Sequence, residues 1–167
     1  MIPNFARAVI AWALKKQGLP YIWGGKGLLS WGPLMSEPTA KNHGCDEGFD
    51  CIGLFTAACH AVGGPDLRFD WSCQEAFINL AQPTLGEMGR LKLYGPDVKL
   101  VQHIAVELSP WHQLEAAGGD HTTTNYMQAI KRGAKVAVRD AQEGRRDLLG
   151  YRSLESMQFF VPAKGRP

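Results

Sequence analysis

The sequence predicts an α+β domain with its helices first and a mainly antiparallel sheet after them. Two observations carry this: apolar residues recur at helical spacing through the first half of the chain, and short strand-like runs separated by turn residues fill the second half. At 167 residues, 45% of them hydrophobic, the chain has the size of a single domain, 1–167, that buries its own core.

Phe5, Val9, Ile10, Trp12, Ala13 and Leu14 fall on one helical face, and Gly18 and Pro20 stop the pattern, so a first helix of about three turns is expected. Residues 24–48 are dense in Gly, Pro, Ser and Asn, with Trp31 and Met35 among them, and read as one long loop. A second helix is expected from Cys51 to Val62, ended by Gly63-Gly64-Pro65. A short third helix follows from Cys73 to Leu80, with Asp70 or Ser72 as its cap. Strands are expected at Leu91–Tyr94, Val101–Leu108, Gln113–Ala117, Lys135–Arg139 and Leu148–Arg152.

Eighteen Lys and Arg against 16 Asp and Glu leave a formal charge of +2, too little for bulk attraction to nucleic acid. Lys131, Arg132, Lys135, Arg139, Arg145, Arg146 and Arg152 make the C-terminal part locally basic, suited either to an anionic polymer or to a solvated face. The apolar run Ala8–Leu14 is too short and amphipathic to span a membrane, and no cleavage signal follows it, so no secretory leader is recognised. Cys45, Cys51, Cys59 and Cys73 have neither zinc-ligand spacing nor the density of a disulfide scaffold; some of these thiols are expected to be free. A metal site from His43, Cys45, Cys51 and Cys59 or His60 has no ligand pattern behind it.

Only Cys51 lies where a turn, Gly48-Phe49-Asp50, runs directly into a helix. A sulfur at the positive end of a helix dipole is favoured as thiolate, and the unpaired N–H groups of that first turn can receive a developing oxyanion. Cys59, two turns on, is expected to be a packed core thiol, while Cys73 and Cys45 are flanked by polar or loop residues.

Tyr21-Ile22-Trp23-Gly24-Gly25 after Pro20, then Gly48-Phe49-Asp50-Cys51-Ile52-Gly53-Leu54, then His103-Ile104-Ala105-Val106 opening a strand, resemble the NlpC-type family of papain-like cell-wall endopeptidases. The resemblance runs from the first helix to Arg152. Met88 to Gly95 is similar to the strand that precedes the histidine strand, with Gly89-Arg90 where Gly-Asp is usual. Ile52 replaces a frequent Ser, and the loop from Gly27 to Asp46 is longer than a minimal member needs, as if to cover the cleft.

The resemblance makes Cys51 the nucleophile and His103 the general base. Strand alternation puts His103 on a face with Val101, Ala105 and Glu107, away from the apolar stripe, and small Ala105 leaves room beside the imidazole. A turn at Ser109-Pro110-Trp111 folds the next strand back so that Gln113, Glu115 and Ala117 can share that face. Glu115 is the expected third catalytic residue, with His121 and Asp120 as alternatives; His60, His43 and His112 compete less well.

By resemblance Tyr21 points its hydroxyl at the cleft, Asp50 caps the catalytic helix or meets a substrate amine, Ser72 lines the cleft, and Trp23 packs. The implied substrate is the peptidoglycan stem peptide, cut beside a D-residue, commonly D-glutamyl to diaminopimelate or lysine, without metal or organic cofactor. A phage lysin or tail-associated hydrolase, partnered by tail proteins and reaching the wall on a virion or after lysis, is the expected setting. A structural tail or hub component, and an acyl-transfer enzyme of related fold, are the alternatives.

Overall fold

The structure is a computed structural model and describes residues 4–28, 47–68, 70–141 and 145–160. The first helix, α1 (Asn4–Leu14), buries Val9, Ile10 and Ala13 of the predicted face together with Ala6, while Phe5, Trp12 and Leu14 are partly buried at its edge. Its Ala6 N–H donates to Glu155 Oε2 at 2.8 Å, tying it to a 3₁₀ turn, Glu155–Phe159, near the other end of the chain.

Residues 24–48 are not one unbroken loop. Their two ends pair as an antiparallel ribbon, β1 (Lys26–Leu28) with β2 (Glu47–Phe49), in which Lys26 faces Phe49. Fully buried Phe49 supplies the apolar anchor, meeting the Trp12 ring edge-on at 6.0 Å. The predicted cleft-covering segment falls largely at 29–46, outside the described residues.

Helix α2 (Cys51–Ala61) is buried continuously from Cys51 to Cys59, so it is the central helix of the domain. Helix α3 (Cys73–Asn79) starts at Ser72, whose hydroxyl accepts the Glu75 N–H while the Glu75 carboxylate accepts the Ser72 N–H. Of the two expected caps, Ser72 is the one used.

A five-stranded antiparallel sheet covers α1 and α2. Strands β3 (Leu91–Tyr94), β4 (His103–Glu107), β5 (His112–Ala117) and β6 (Lys135–Asp140) follow each other as a meander, and β7 (Leu148–Arg152) returns to the outer side of β3. Leu91, Leu93, Ile104, Val106, Leu114, Ala116 and Val136 join the helices in one core. Tyr94, His103, Ala105, Gln113 and Glu115 alternate to the other face and are buried too. Both faces of the central strands are therefore closed to solvent, and the second face is polar.

The β4 strand begins at His103, not Val101, and β5 begins one residue early at His112. A further helix, α4 (Tyr126–Arg132), was not expected. It buries only Ala129 and leaves Met127 and Ile130 exposed, so no apolar stripe announces it. Its local signals are the Asn125 side chain, which accepts the Gln128 N–H, and Gly133 at φ +64°. Trp23, expected to pack, is instead 44% exposed: it sits in the turn before β1, its N–H on the Thr123 carbonyl and its ring edge-on to His121.

The two glycine-bearing motifs meet. A Cβ on Gly53 would run into the Gly25 carbonyl and lie 2.8 Å from an Asp50 carboxylate oxygen; one on Gly25 would lie 2.7 Å from the Gly48 carbonyl. Backbone atoms cannot swing aside as side chains do, so these positions admit only hydrogen. Gly53→Ala is expected to destabilise the fold by about 1–3 kcal/mol, read as a lowered urea midpoint at unchanged m-value.

Candidate active site

Asp50 is extended (φ −83°, ψ 179°) and its side chain accepts the Gly53 N–H at 2.5 Å, capping α2. The same carboxylate accepts the Gly24 N–H at 3.1 Å and pairs with Lys26 Nζ at 2.9 Å. Both oxygens are thus engaged by the motif that precedes the ribbon. Burial pushes the Asp50 carboxyl up, opposed by the Lys26 charge.

Capping accounts for the Gly53 amide, and the Asp50 N–H donates to the Gly25 carbonyl at 3.0 Å. The Cys51 and Ile52 N–H groups remain without a backbone partner among the described residues, pointing out of the helix start. Cys51 is the first residue of the helix, and its sulfur stands 3.5 Å from Cys73 Sγ and 3.8 Å from the carbonyl of Gln102, the residue before His103.

Through Nε2 the imidazole of His103 bonds Glu115 Oε2 at 2.7 Å, and it lies close enough to the Cys51 sulfur for each group to shift the other's pKa. Since Nε2 serves the carboxylate, Nδ1 is the nitrogen left for the sulfur. The strand register pairs Val106 with Leu114, and one further step along the ladder sets Glu115 opposite Ala105, diagonal to His103. The turn that does this is closed by Leu108 and Ser109 N–H groups on the His112 carbonyl.

Glu115 is itself held. Gln113 Nε2 donates to Oε2 at 3.2 Å, Tyr94 donates its phenol proton to Gln113 Oε1 at 2.7 Å, and Arg139 Nε stands 3.3 Å from Oε1 as an ion pair without hydrogen-bond alignment. Burial works against the Glu115 carboxylate, but His103, Arg139 and Arg145 outweigh it and hold the carboxyl below its ordinary range.

The Cys51 thiol is lowered well below an ordinary thiol, first by the hydrogen bond from Cys73 and then, against burial, by His103 and Lys26. Cys73 moves the opposite way: it keeps its proton as donor to Cys51, and burial raises it further. Burial also opposes a charged His103, yet Cys51 and Glu115 outweigh it and its pKa is pushed up to about 9. Both shifts run in the direction that favours a thiolate–imidazolium pair.

Tyr21 is buried, and burial together with the charges of Cys51 and Asp50 drives its phenol far above the usual value, so it stays a proton donor. Its ring lies against Gly119, where no side chain would fit. Ser72 is exposed and occupied with its capping box. His121 meets Trp23 edge-on and Asp120 binds Thr122 and Arg132, whereas Glu115 is the residue that bonds His103. Cys59 is a core thiol on the Pro65 carbonyl, its pKa pushed up by burial to about 12. His60 is exposed on α2 and His112 bonds Ser109; His43 and Cys45 lie outside the described residues.

Much of the basic stretch is engaged locally: Arg132 with Asp120, Arg139 with Glu115, Arg145 with Asp147, and Arg152 with the Phe77 carbonyl. Among the described residues no three His, Cys, Asp or Glu side chains gather as a metal site, and no helix is long and apolar enough to cross a membrane. Cys73 is the neighbour of Cys51 that sequence reasoning missed, because α2 and α3 meet only in the tertiary structure.

A thiol at the start of a buried helix, facing an imidazole and a carboxylate on successive antiparallel strands, defines a papain-like domain. The chain is 34% identical over 110 residues to the peptidoglycan endopeptidase RipB of Mycobacterium tuberculosis, an alignment spanning 66% of this chain and 42% of that protein. The chain is similar in sequence to this peptidoglycan endopeptidase and in fold to NlpC/p60 domains. It spans less than half the length of that curated relative, and no family model matches it.

Solved structures agree on the fold. That of RipB is 27% identical with a TM-score of 0.56, covering 91% of this chain and 67% of that one. The P60 domain of an antigen from M. avium subspecies paratuberculosis is 25% identical with a TM-score of 0.57, covering 90% and 93%. RipD from M. tuberculosis, described as a non-catalytic NlpC/p60 domain protein adapted to peptidoglycan binding, is 24% identical with a TM-score of 0.56, covering 89% and 95%.

Glu115→Gln removes the anion that favours imidazolium. The His103 titration, followed by NMR of its ring protons, is expected near pH 9 in the wild-type protein and lower by about one pH unit or more in the variant. An unmoved titration would mean that Glu115 does not govern His103.

Proposed function

We propose that this chain is a peptidoglycan endopeptidase domain in which Cys51 is the nucleophile, His103 the proton carrier and Glu115 the group that orients His103. The observation that carries this is the line of contacts from Cys51 through His103 to Glu115, starting at the open first turn of α2. A domain that only binds the wall needs no such line, and the likeness to RipD is a likeness of fold.

The thiolate attacks an amide carbonyl, and the N–H groups of Cys51 and Ile52 receive the oxyanion, with the Tyr21 hydroxyl as a further donor. His103 gives its proton to the departing amine. Water then attacks the thioester, His103 takes a proton from it, and Cys51 leaves as thiolate. Glu115 stays ionised and stabilises the imidazolium. Asp50 acts as cap and anchor, and Ser72 sits at the start of α3 beside Cys73, where a bound peptide can reach it.

RipB's description as a peptidoglycan endopeptidase supports the stem peptide as substrate. The family resemblance makes the bond one beside a D-residue, such as D-glutamyl to diaminopimelate or lysine. Carriage on a phage tail, or release by lysis, is the proposed route to the wall; it stands on the sequence reading, and the relatives named above are mycobacterial.

Purified peptidoglycan digested by the wild-type protein is expected to release stem-peptide fragments, identified by mass spectrometry, that are absent with Cys51→Ala. His103→Ala should slow release by about 10²–10⁴-fold, and Glu115→Ala should slow it while leaving the fold intact. Products capped by an added amine would assign acyl transfer; no cleavage of several wall chemistries would move the domain to a binding or structural role.

The active species holds a proton on His103 and none on Cys51. Activity, as kcat/KM, is therefore expected to fall as pH rises through about 9, where His103 loses the proton it must donate. On the acid side it should persist below the range of an ordinary thiol, until Cys51 is protonated. A profile that rises through pH 9 would contradict the ion-pair form.

A further inference from the structure

The Cys51 and Cys73 sulfurs lie 3.5 Å apart, and both are buried free thiols. The proposed hydrolysis uses Cys73 only as a hydrogen-bond donor to the Cys51 sulfur, a task that does not call for a thiol. Each cysteine opens a different helix, α2 and α3, so both sulfurs sit at helix starts facing one another. The remaining described thiol, Cys59, lies two turns along α2 against the Pro65 carbonyl.

We propose that Cys51 and Cys73 form a reversible redox pair in which Cys73 resolves oxidised Cys51 as a disulfide, switching the site off and protecting it. The switching role rests on Cys51 being the nucleophile proposed above; the formation of the disulfide does not.

With hydrogen peroxide as oxidant, the Cys51 thiolate attacks one peroxide oxygen and the O–O bond breaks. Sulfur is oxidised by two electrons to the sulfenic acid, and the leaving hydroxide takes a proton to become water. The Cys73 sulfur then attacks the Cys51 sulfur; the S–S bond forms, the S–O bond breaks, and hydroxide leaves with the Cys73 proton as a second water. Two thiols and one peroxide give one disulfide and two waters. A small dithiol reductant reverses the step by exchange.

The geometry asks for little movement. A disulfide spans about 2.05 Å between sulfurs, so the pair must close by roughly 1.5 Å from its contact distance, within the reach of side-chain rotation and slight helix adjustment. A sulfenic acid without a neighbouring thiol proceeds to sulfinic acid, which a dithiol does not reverse. Cys73 is placed to intercept that step.

The test treats the full chain with hydrogen peroxide, alkylates remaining thiols and maps peptides by mass spectrometry without reduction. The expected result is a Cys51–Cys73 linked peptide lighter by two hydrogens than the sum of its thiol forms, converted back to two alkylatable thiols by dithiothreitol. In Cys73→Ser, peroxide should leave Cys51 carrying two or three oxygens, with no recovery by dithiothreitol. Wild-type Cys51 oxidised in that same way beside an alkylatable Cys73, or linked instead to Cys45 or Cys59, would overturn the proposal. Because the map reads sulfur and not hydrolysis, a linked pair in a protein inert on every wall would sink the peptidase reading alone.

Discussion

The Asp50 carboxylate is the contact on which the site depends. It caps α2 through Gly53, holds the Gly24 amide and pairs with Lys26, so residues 24–26 and 50–53 behave as one unit although the long segment between them separates them in sequence. Glycine at 25 and 53 lets the two backbones approach closely enough for this to happen. Cys51 is the next residue after Asp50, and its position is set by the same cap. A buried carboxylate is tolerated only while its cation and amide donors stay in place, which makes the cap a condition of the fold as much as of the chemistry.

From Asp50 outward, charge alternates. Lys26 and Asp50 are followed by Cys51, whose shift favours the thiolate, by His103, whose shift favours the imidazolium, and by the Glu115–Arg139 ion pair. Each of the buried groups would tend toward its neutral form if desolvated alone. Alternation is what opposes that tendency: burial works against Cys51, His103 and Glu115 alike, and in each case the neighbours outweigh it. Cys73 adds a neutral donor at the end of the line that has no cation beside the sulfur other than His103 and the more distant Lys26.

What could be read from sequence was what depends on neighbours along the chain. The start of α2 at Cys51, the stop at Gly63 and the strand alternation that sends His103 and Glu115 to one face are all local signals, and the short Ser109–Trp111 turn made the meeting of those strands legible. The ribbon of β1 and β2 was not legible, because its three-residue strands lie far apart in sequence and are too short to show an alternating pattern. Helix α4 has one buried residue and so no periodicity to find. Trp23 was misjudged for a related reason: aromatic rings usually pack, but this one sits in a turn whose backbone, not whose ring, makes the tertiary contact. Cys73 looked like one polar-flanked thiol among others, since its neighbour is set by how two helices meet.

The polar face of the sheet explains why Gln113 rather than an apolar residue lies beside Glu115. A carboxylate bonded only to His103 could rotate about its own axis and carry the imidazole with it. Gln113 donates to the same oxygen that His103 uses, and its own carbonyl is fixed by the Tyr94 hydroxyl, while Arg139 stands over the other oxygen. Each polar atom in this row therefore restrains the next, and an unsatisfied member would cost more than an apolar replacement of the whole row. Retaining such a network in a sheet closed on both faces makes physical sense where the angle of one imidazole toward one sulfur must be held to a fraction of an ångström.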